Sequence, residues 1–209
     1  MNLKMIFTTS FQLSSVGRYS RDHMAKRENV LEHMGFVCLF ALLLAKEACR
    51  NGHQKIDYEK LMASTVVHDI DEAVLGDIPR TTKYFSEGVR RELAKAESST
   101  VEKLAELIGA NILKDYTFAK IGREGEILKV SDIAAVVYKN HCEIELLGNR
   151  SFVRVAYETQ KYLENVDLDS FGLEICRKVL WDLRNLNSEI LSKVELTDED
   201  KIFSHFAGG

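Results

Sequence analysis

Apolar residues recur three and four positions apart between Val30 and Ala45, at Val30, Leu31, Met34, Val37, Cys38, Ala41, Leu42 and Ala45. That spacing marks one face of an amphipathic helix. It begins near Glu28 and ends near Asn51-Gly52, where asparagine and glycine suit a C-cap. Asp57 is placed to N-cap the next helix, which carries Leu61, Met62, Thr65, Val66 and Asp69. The pattern breaks over LGDIPRTT, Leu75 to Thr82, then resumes from Ser86 to Leu107. Asn111 to Gly125 is irregular with some helical content, and a further helix runs from Glu126 to Leu147 until Gly148-Asn149 breaks it. Phe152 to Asn165 and Asp169 to Lys193 predict two more. A short helix fits Lys4 to Leu13, whereas Arg18 to Arg27, RYSRDHMAKR, has no period and is expected to be a loop. No alternating strand pattern of useful length occurs, and no internal repeat. The prediction is an all-α chain, a single bundle of about six or seven helices over residues 1–195, with a loose tail over 196–209.

Composition agrees with that pattern. One proline and twelve glycines suit a helical chain, and 45% hydrophobic against 29% charged residues allows a sizeable core. Trp181 and the aromatics near the C-terminus are expected in that core. With 28 basic and 32 acidic residues the net charge is −4, and no basic tail is present. Long nucleic acid is therefore not an expected partner, while a small anionic ligand held by a few cations is open. Cys38, Cys49, Cys142 and Cys176 form no C-x-x-C pair and fall in helical stretches, predicting reduced thiols in a cytoplasmic protein. Met1 to Ser15 lacks a secretory pattern. The longest apolar run, Phe36 to Ala45, is about half the length that spans a bilayer, so no membrane association is expected. No glycine-rich phosphate loop occurs, which excludes a P-loop NTPase.

The chemistry lies in VVHDIDEAVLGD, Val66 to Asp77. Adjacent helical residues point about 100° apart, so His68 and Asp69 reach one metal only from a helix edge or end. The break at Gly76 places them near such an end. Glu72, three residues after Asp69, shares its face and is a candidate general base or acid. Two more candidate ligands sit in apolar helical runs: His33 in EHMGF and Asp132 in VSDIAAVV. A buried carboxylate is costly unless paired or metal-bound. Singly, each residue is weak. His33 fits a core histidine, His-Asp is a common dipeptide, and Asp132 can pair with Lys129 or cap a helix. Together, His33, His68, Asp69 and Asp132 make a mixed nitrogen and oxygen site. It suits one divalent transition metal, manganese, cobalt, iron or zinc, with magnesium possible, better than calcium.

That order, H…HD…D, resembles the metal signature of the HD-domain phosphohydrolases. The longer strings, R-Y…R-E-N-V-x-E-H from Arg18 to His33 and H-D-x-x-E-x-x-x-G-D-x-P-x-x-x-K from His68 to Lys83, resemble the 5′-deoxynucleotidase branch. The resemblance covers roughly the first two-fifths of the chain plus Asp132. It implies an HD-type bundle, a metal on His33, His68, Asp69 and Asp132, and a homodimer. It also implies that Glu72 acts at the phosphorus, Arg18 on phosphate, Asp77 near the sugar hydroxyl and Lys83 near the phosphates. Two positions depart from the branch. Tyr19 stands where tryptophan is common against the sugar; it keeps an aromatic face, is smaller and adds a hydroxyl, which bears on deoxy over ribo selectivity. Asp71 adds a carboxylate where a small residue is usual, which can strengthen metal binding or raise the pKa of Glu72.

The expected function is metal-dependent hydrolysis of deoxynucleoside 5′-monophosphates to nucleosides and phosphate. The alternatives are a deoxynucleoside triphosphohydrolase using the same site, and a non-catalytic nucleotide sensor on the same scaffold. The intact set of His33, His68, Asp69, Glu72 and Asp132 speaks against the sensor.

Overall fold

A capping box opens the helix at the centre of the molecule. Asn29 Oδ1 accepts from the Glu32 amide at 2.9 Å, and Glu32 Oε2 accepts from the Asn29 amide at 3.1 Å. From there α2 runs Val30–Arg50, burying Val30, Met34, Val37, Ala41, Leu44, Ala45 and Ala48 along one stripe. The computed structural model describes residues 1–50 and 55–202. The expected C-cap at Asn51-Gly52 therefore lies outside the described residues, as do His53 and residues 203–209.

The remaining helices are α1 (Leu3–Ser15), α3 (Tyr58–Val67), α4 (Glu72–Leu75), α5 (Arg80–Lys83), α6 (Glu87–Ile108), α7 (Leu113–Phe118), α8 (Gly122–Asn140), α9 (Val153–Asn165), α10 (Glu174–Ser192) and α11 (Asp198–Ile202). Asp57 caps α3 as expected, accepting from the Lys60 amide at 3.0 Å. Ser86 caps α6, and Gly109, left-handed at φ 71°, ends it. Seven of these helices have ten residues or more, and the four shorter ones account for the excess over the expected count. Among the described residues there is no strand; a lone antiparallel bridge between Gly17 and Asn29 closes the base of the Arg18 loop. None of their helices is long and apolar enough to cross a membrane.

The main core gathers α2, α3, α8 and α10, with Leu61, Ile127, Val130, Val137, Cys176 and Leu180 at its heart. A second cluster joins α1 to α6, α7 and the start of α2 through Leu13, Val101, Leu104 and Tyr116. A third, around Phe152, Val153, Ala156 and Ile190, lies under the end of α8 and the start of α9. Asn187 donates to the Ala156 carbonyl at 2.9 Å and accepts from Asn140 at 2.8 Å inside that packing, which leaves only Asn140 Oδ1 of the pair without a partner.

One expectation changes. Trp181 is half-exposed, because α10 turns Cys176, Leu180, Leu183 and Asn187 inward and places residue 181 on the outer face. Among the described residues of the expected tail, 196–209, α11 packs on α9, and Asp200 takes an ion pair from Arg150 at 2.7 Å. Among the described residues no disulfide joins any of the four cysteines.

Beyond Asn140, α8 widens into a π-helical turn, His141–Leu146. Within it Glu143 is fully buried and accepts from the Ala25 amide at 2.8 Å, the Lys26 amide at 3.0 Å, Lys139 Nζ at 2.7 Å and Asn149 Nδ2 at 2.7 Å. Burial alone would raise this carboxyl, but Lys139, Asn149 and the two amides outweigh it and hold it down at about 2. A depressed folded pKa gives stability that is complete above the ordinary value near 4.5 and drains away as pH falls toward about 2. In urea melts, the stability gap between wild type and Glu143→Gln should be constant from pH 7 to 5 and close between about pH 4.5 and 2. A gap that persists unchanged at pH 2 contradicts this origin.

Candidate metal centre

Three helices bring the polar residues together. His33 projects from the first turns of α2, His68 and Asp69 follow directly on the end of α3, and Asp132 lies midway along α8. The packing of α2 on α3 and on α8 closes the group. His33, His68 and Asp132 offer ligand atoms within 4.8 Å of one another, a possible metal site. Asp69 Oδ2 reaches both imidazoles, 3.1 Å from His68 Nε2 and 3.4 Å from His33 Nε2, while Asp132 Oδ1 is 3.1 Å from His33 Nε2.

The test of fit is in the unsatisfied atoms. His33 is 1% exposed and its Nδ1 has no partner; its Nε2 and that of His68 have only the Asp69 and Asp132 carboxylates near them, off hydrogen-bonding geometry, and Glu72 Oε2 is buried and unpartnered. Buried polar groups are rarely left so, and two imidazoles with two carboxylates form a donor set that fits a borderline divalent cation. His68 is also oriented for ligation: its Nδ1 faces the Thr65 carbonyl at 2.8 Å, leaving Nε2 toward the cluster. Asp132 is less enclosed than its apolar neighbours in sequence suggested. Its side chain is 45% exposed, because it opens into a cavity rather than the core. Lys129, its alternative partner, lies over the Phe171 ring instead.

The charges reinforce one another. Burial raises Asp69, but His68 and His33 outweigh it and hold the carboxylate well below its usual range. Burial, then Asp69 and Asp77, pushes Glu72 up to about 10. Asp71 adds to that rise from further down the order. Asp71 is itself pushed up to about 6, first by burial and then by Asp69 and Glu97, and it hydrogen-bonds Tyr116.

The cavity beside this cluster holds about 1060 Å³, with Arg18, Tyr19, Asp77 and Lys83 in its wall. Arg18 Nη1 pairs with Glu28 at 2.9 Å and remains charged. Asp77 Oδ2 accepts from the Tyr19 amide at 3.1 Å, fastening the loop at a residue whose φ is +55°. Lys83 Nζ lies 2.6 Å from Glu97, so this lysine is engaged by a carboxylate at the cavity's edge. The sequence reading did not single out Glu28, nor Arg21, Arg80 and Tyr162, which also line the cavity. Glu28 belongs to a readable R-E-N string; the others come together only through folding.

A family model described as 5′-deoxynucleotidase YfbR-like matches residues 5–175. The chain belongs to that family. It is a phosphohydrolase of the YfbR-like 5′-deoxynucleotidase family. A 5′-deoxynucleotidase of Pectobacterium atrosepticum is 26% identical over 170 residues, 78% of this chain and 84% of that protein. Among solved structures, the PH0347 protein of Pyrococcus horikoshii shares the fold with a TM-score of 0.69 at 20% identity, over 88% of this chain and 99% of that one. The cyanophage S-2L HD phosphohydrolase DatZ, bound to dA and one catalytic zinc ion, shares it with a TM-score of 0.60 at 18% identity, over 88% and 96%.

Tyr19 lies in the cavity wall. Its ring packs edge-on to Phe152 at 5.1 Å, and its hydroxyl is buried without a partner beside the third cluster. Only the ring is left to face the cavity. Removing an unpaired buried hydroxyl relieves a cost of about 1 kcal/mol or more. Tyr19→Phe should therefore match or exceed wild-type stability by up to about 1 kcal/mol in a denaturant melt. A loss of more than that would mean the hydroxyl is bonded.

Proposed function

We propose that this chain is a divalent-metal-dependent 5′-nucleotidase converting deoxynucleoside 5′-monophosphates to deoxynucleosides and phosphate. The observation that carries the reading is the convergence of His68, Asp69, Glu72 and Asp132 at the wall of one cavity, with the buried His33 Nε2 3.1 Å from Asp132. In this reading His33, His68, Asp69 and Asp132 hold one manganese, cobalt, iron, zinc or magnesium ion. When bound, the ion neutralises phosphate charge and activates water. Glu72 handles the proton as the P–O5′ bond breaks, either taking it from the attacking water or delivering it to the leaving oxygen. Arg18 binds non-bridging oxygens, with Glu28 holding its other edge in place. Asp77 lies at the sugar, Tyr19 offers it a ring face, and Lys83 acts on phosphate only by exchanging its bond to Glu97. A cytoplasmic homodimer belongs to the same proposal; exposed Leu39 and Leu43 on α2 and Trp181 on α10 leave apolar surface for such a contact.

One observation favours the triphosphohydrolase as the second reading. The cavity exceeds the ~300–1,000 Å³ of common small-molecule sites, and Arg21 and Arg80 in its wall have no ion-pair partner among the described residues. The Arg80 guanidinium lies 3.9 Å from the Tyr162 ring centroid and 4.9 Å from that of Tyr84, which leaves its N–H edges for further phosphate oxygens.

Chromatography of products from deoxynucleoside and ribonucleoside mono- and triphosphates separates these readings. Nucleoside and phosphate from monophosphates alone supports the first. Consumption of triphosphates moves the assignment to the second, and no turnover with any of the five metals overturns both in favour of a sensor. Glu72→Ala should retain metal while kcat falls by about 10²–10⁴-fold; near-normal turnover of the metal-loaded variant removes Glu72 from the chemistry.

A further inference from the structure

Lys139 and Glu143 are 3% and 0% exposed, and they lie beyond Asp132 along the same helix and outside the cavity wall. A buried ion pair adds little net stability compared with apolar residues of the same volume, so its bonds indicate what it is for. Those bonds lead to the loop that carries Arg18 and Tyr19. Glu143 takes the amides of Ala25 and Lys26, Lys139 Nζ donates to the Lys26 carbonyl, and Asn149 Nδ2 bridges Glu143 to the His23 carbonyl at 2.7 Å. Four backbone groups of His23, Ala25 and Lys26 thus end on Lys139, Glu143 and Asn149.

The other half of the loop is held from the metal side, by Tyr19 to Asp77 and by Arg21 Nη2 to Thr81 at 2.6 Å. Between these two attachments Tyr19 keeps a left-handed backbone that a tyrosine adopts only when its surroundings impose it. The widened turn at His141–Leu146 gives Glu143 its place under the loop, and such turns recur at functional sites.

We propose that the Lys139–Glu143 pair is a positioning element for anion binding: it fixes residues 17–29 so that Arg18 presents its guanidinium to a phosphate in the cavity. The proposal extends the nucleotidase reading to residues outside the cavity wall, and inorganic phosphate probes it without any turnover. Neither residue touches substrate; both act through the loop.

The test compares metal-reconstituted wild type with Glu143→Gln, with the milder Asn149→Ala, and with Asn187→Ala. The last breaks a buried network that makes no bond to the loop. Calorimetry reads phosphate affinity, metal analysis reads occupancy, and amide exchange reads Ala25 and Lys26. Glu143→Gln should weaken phosphate by about 10-fold or more and speed exchange at Ala25 and Lys26, with metal occupancy unchanged. Asn149→Ala should shift both in the same direction by less, and it carries the test if Glu143→Gln does not fold. Asn187→Ala should lower stability and leave phosphate affinity within about twofold. The proposal is overturned if loop exchange rises while phosphate affinity holds, if Asn187→Ala weakens phosphate as much as the loop variants do, or if wild type binds no phosphate. Wild-type protein that binds phosphate but hydrolyses no deoxynucleotide sinks the nucleotidase reading and leaves this one standing.

Discussion

A histidine ring buried in the first turn of α2, with no partner for Nδ1 and only carboxylates within reach of Nε2, is the constraint on which this molecule turns. His33 costs folding free energy where it stands, and it is tolerable only because α3 and α8 deliver His68, Asp69 and Asp132 to the same point. The large apolar contribution of α2, from Val30 through Ala48, offsets that cost. Rigid helices, rather than mobile loops, therefore fix the spacing of the donors, and the one irregular segment that matters, residues 17–29, must be tied to them.

The charges show the same logic. Asp69 stays ionised because two imidazoles face it, while Glu72, with Asp69 and Asp77 near, is pushed toward its neutral form. Two carboxyl groups three residues apart are thus driven in opposite directions by their surroundings, a pattern that sorts acid, base and ligand roles in hydrolytic sites. Asp71 does not join the donor cluster; it turns toward Tyr116 and Glu97 and adds to the pressure on Glu72.

Most of the scaffold was legible because its signals are local. The three-and-four spacing gave α2, Asp57 gave the start of α3, and Ser86 gave the start of α6. The donor set was legible because its members fall in a fixed order with apolar flanks. Trp181 was misplaced because an aromatic residue carries no information about which side of its helix meets the core. The depth of Asp132 was misjudged for a related reason: apolar neighbours along a helix do not reveal a cavity alongside it. Lys139 and Glu143 did leave a trace, a lysine and a glutamate four apart, but the loop groups they bind are more than a hundred residues upstream, beyond any local pattern.

The π-helical turn at His141–Leu146 has a consequence for the direction of everything that follows it. Such a turn holds one residue more than regular helix would over the same span, and regular helix advances about 100° per residue. Were the same six residues wound regularly, the chain beyond them would be rotated by about that amount, and Asn149 and Phe152 would swing away from the loop and from Tyr19, although neither residue had changed. Along most of α8 and α9 composition is what matters; in these six positions it is the winding itself that is under constraint.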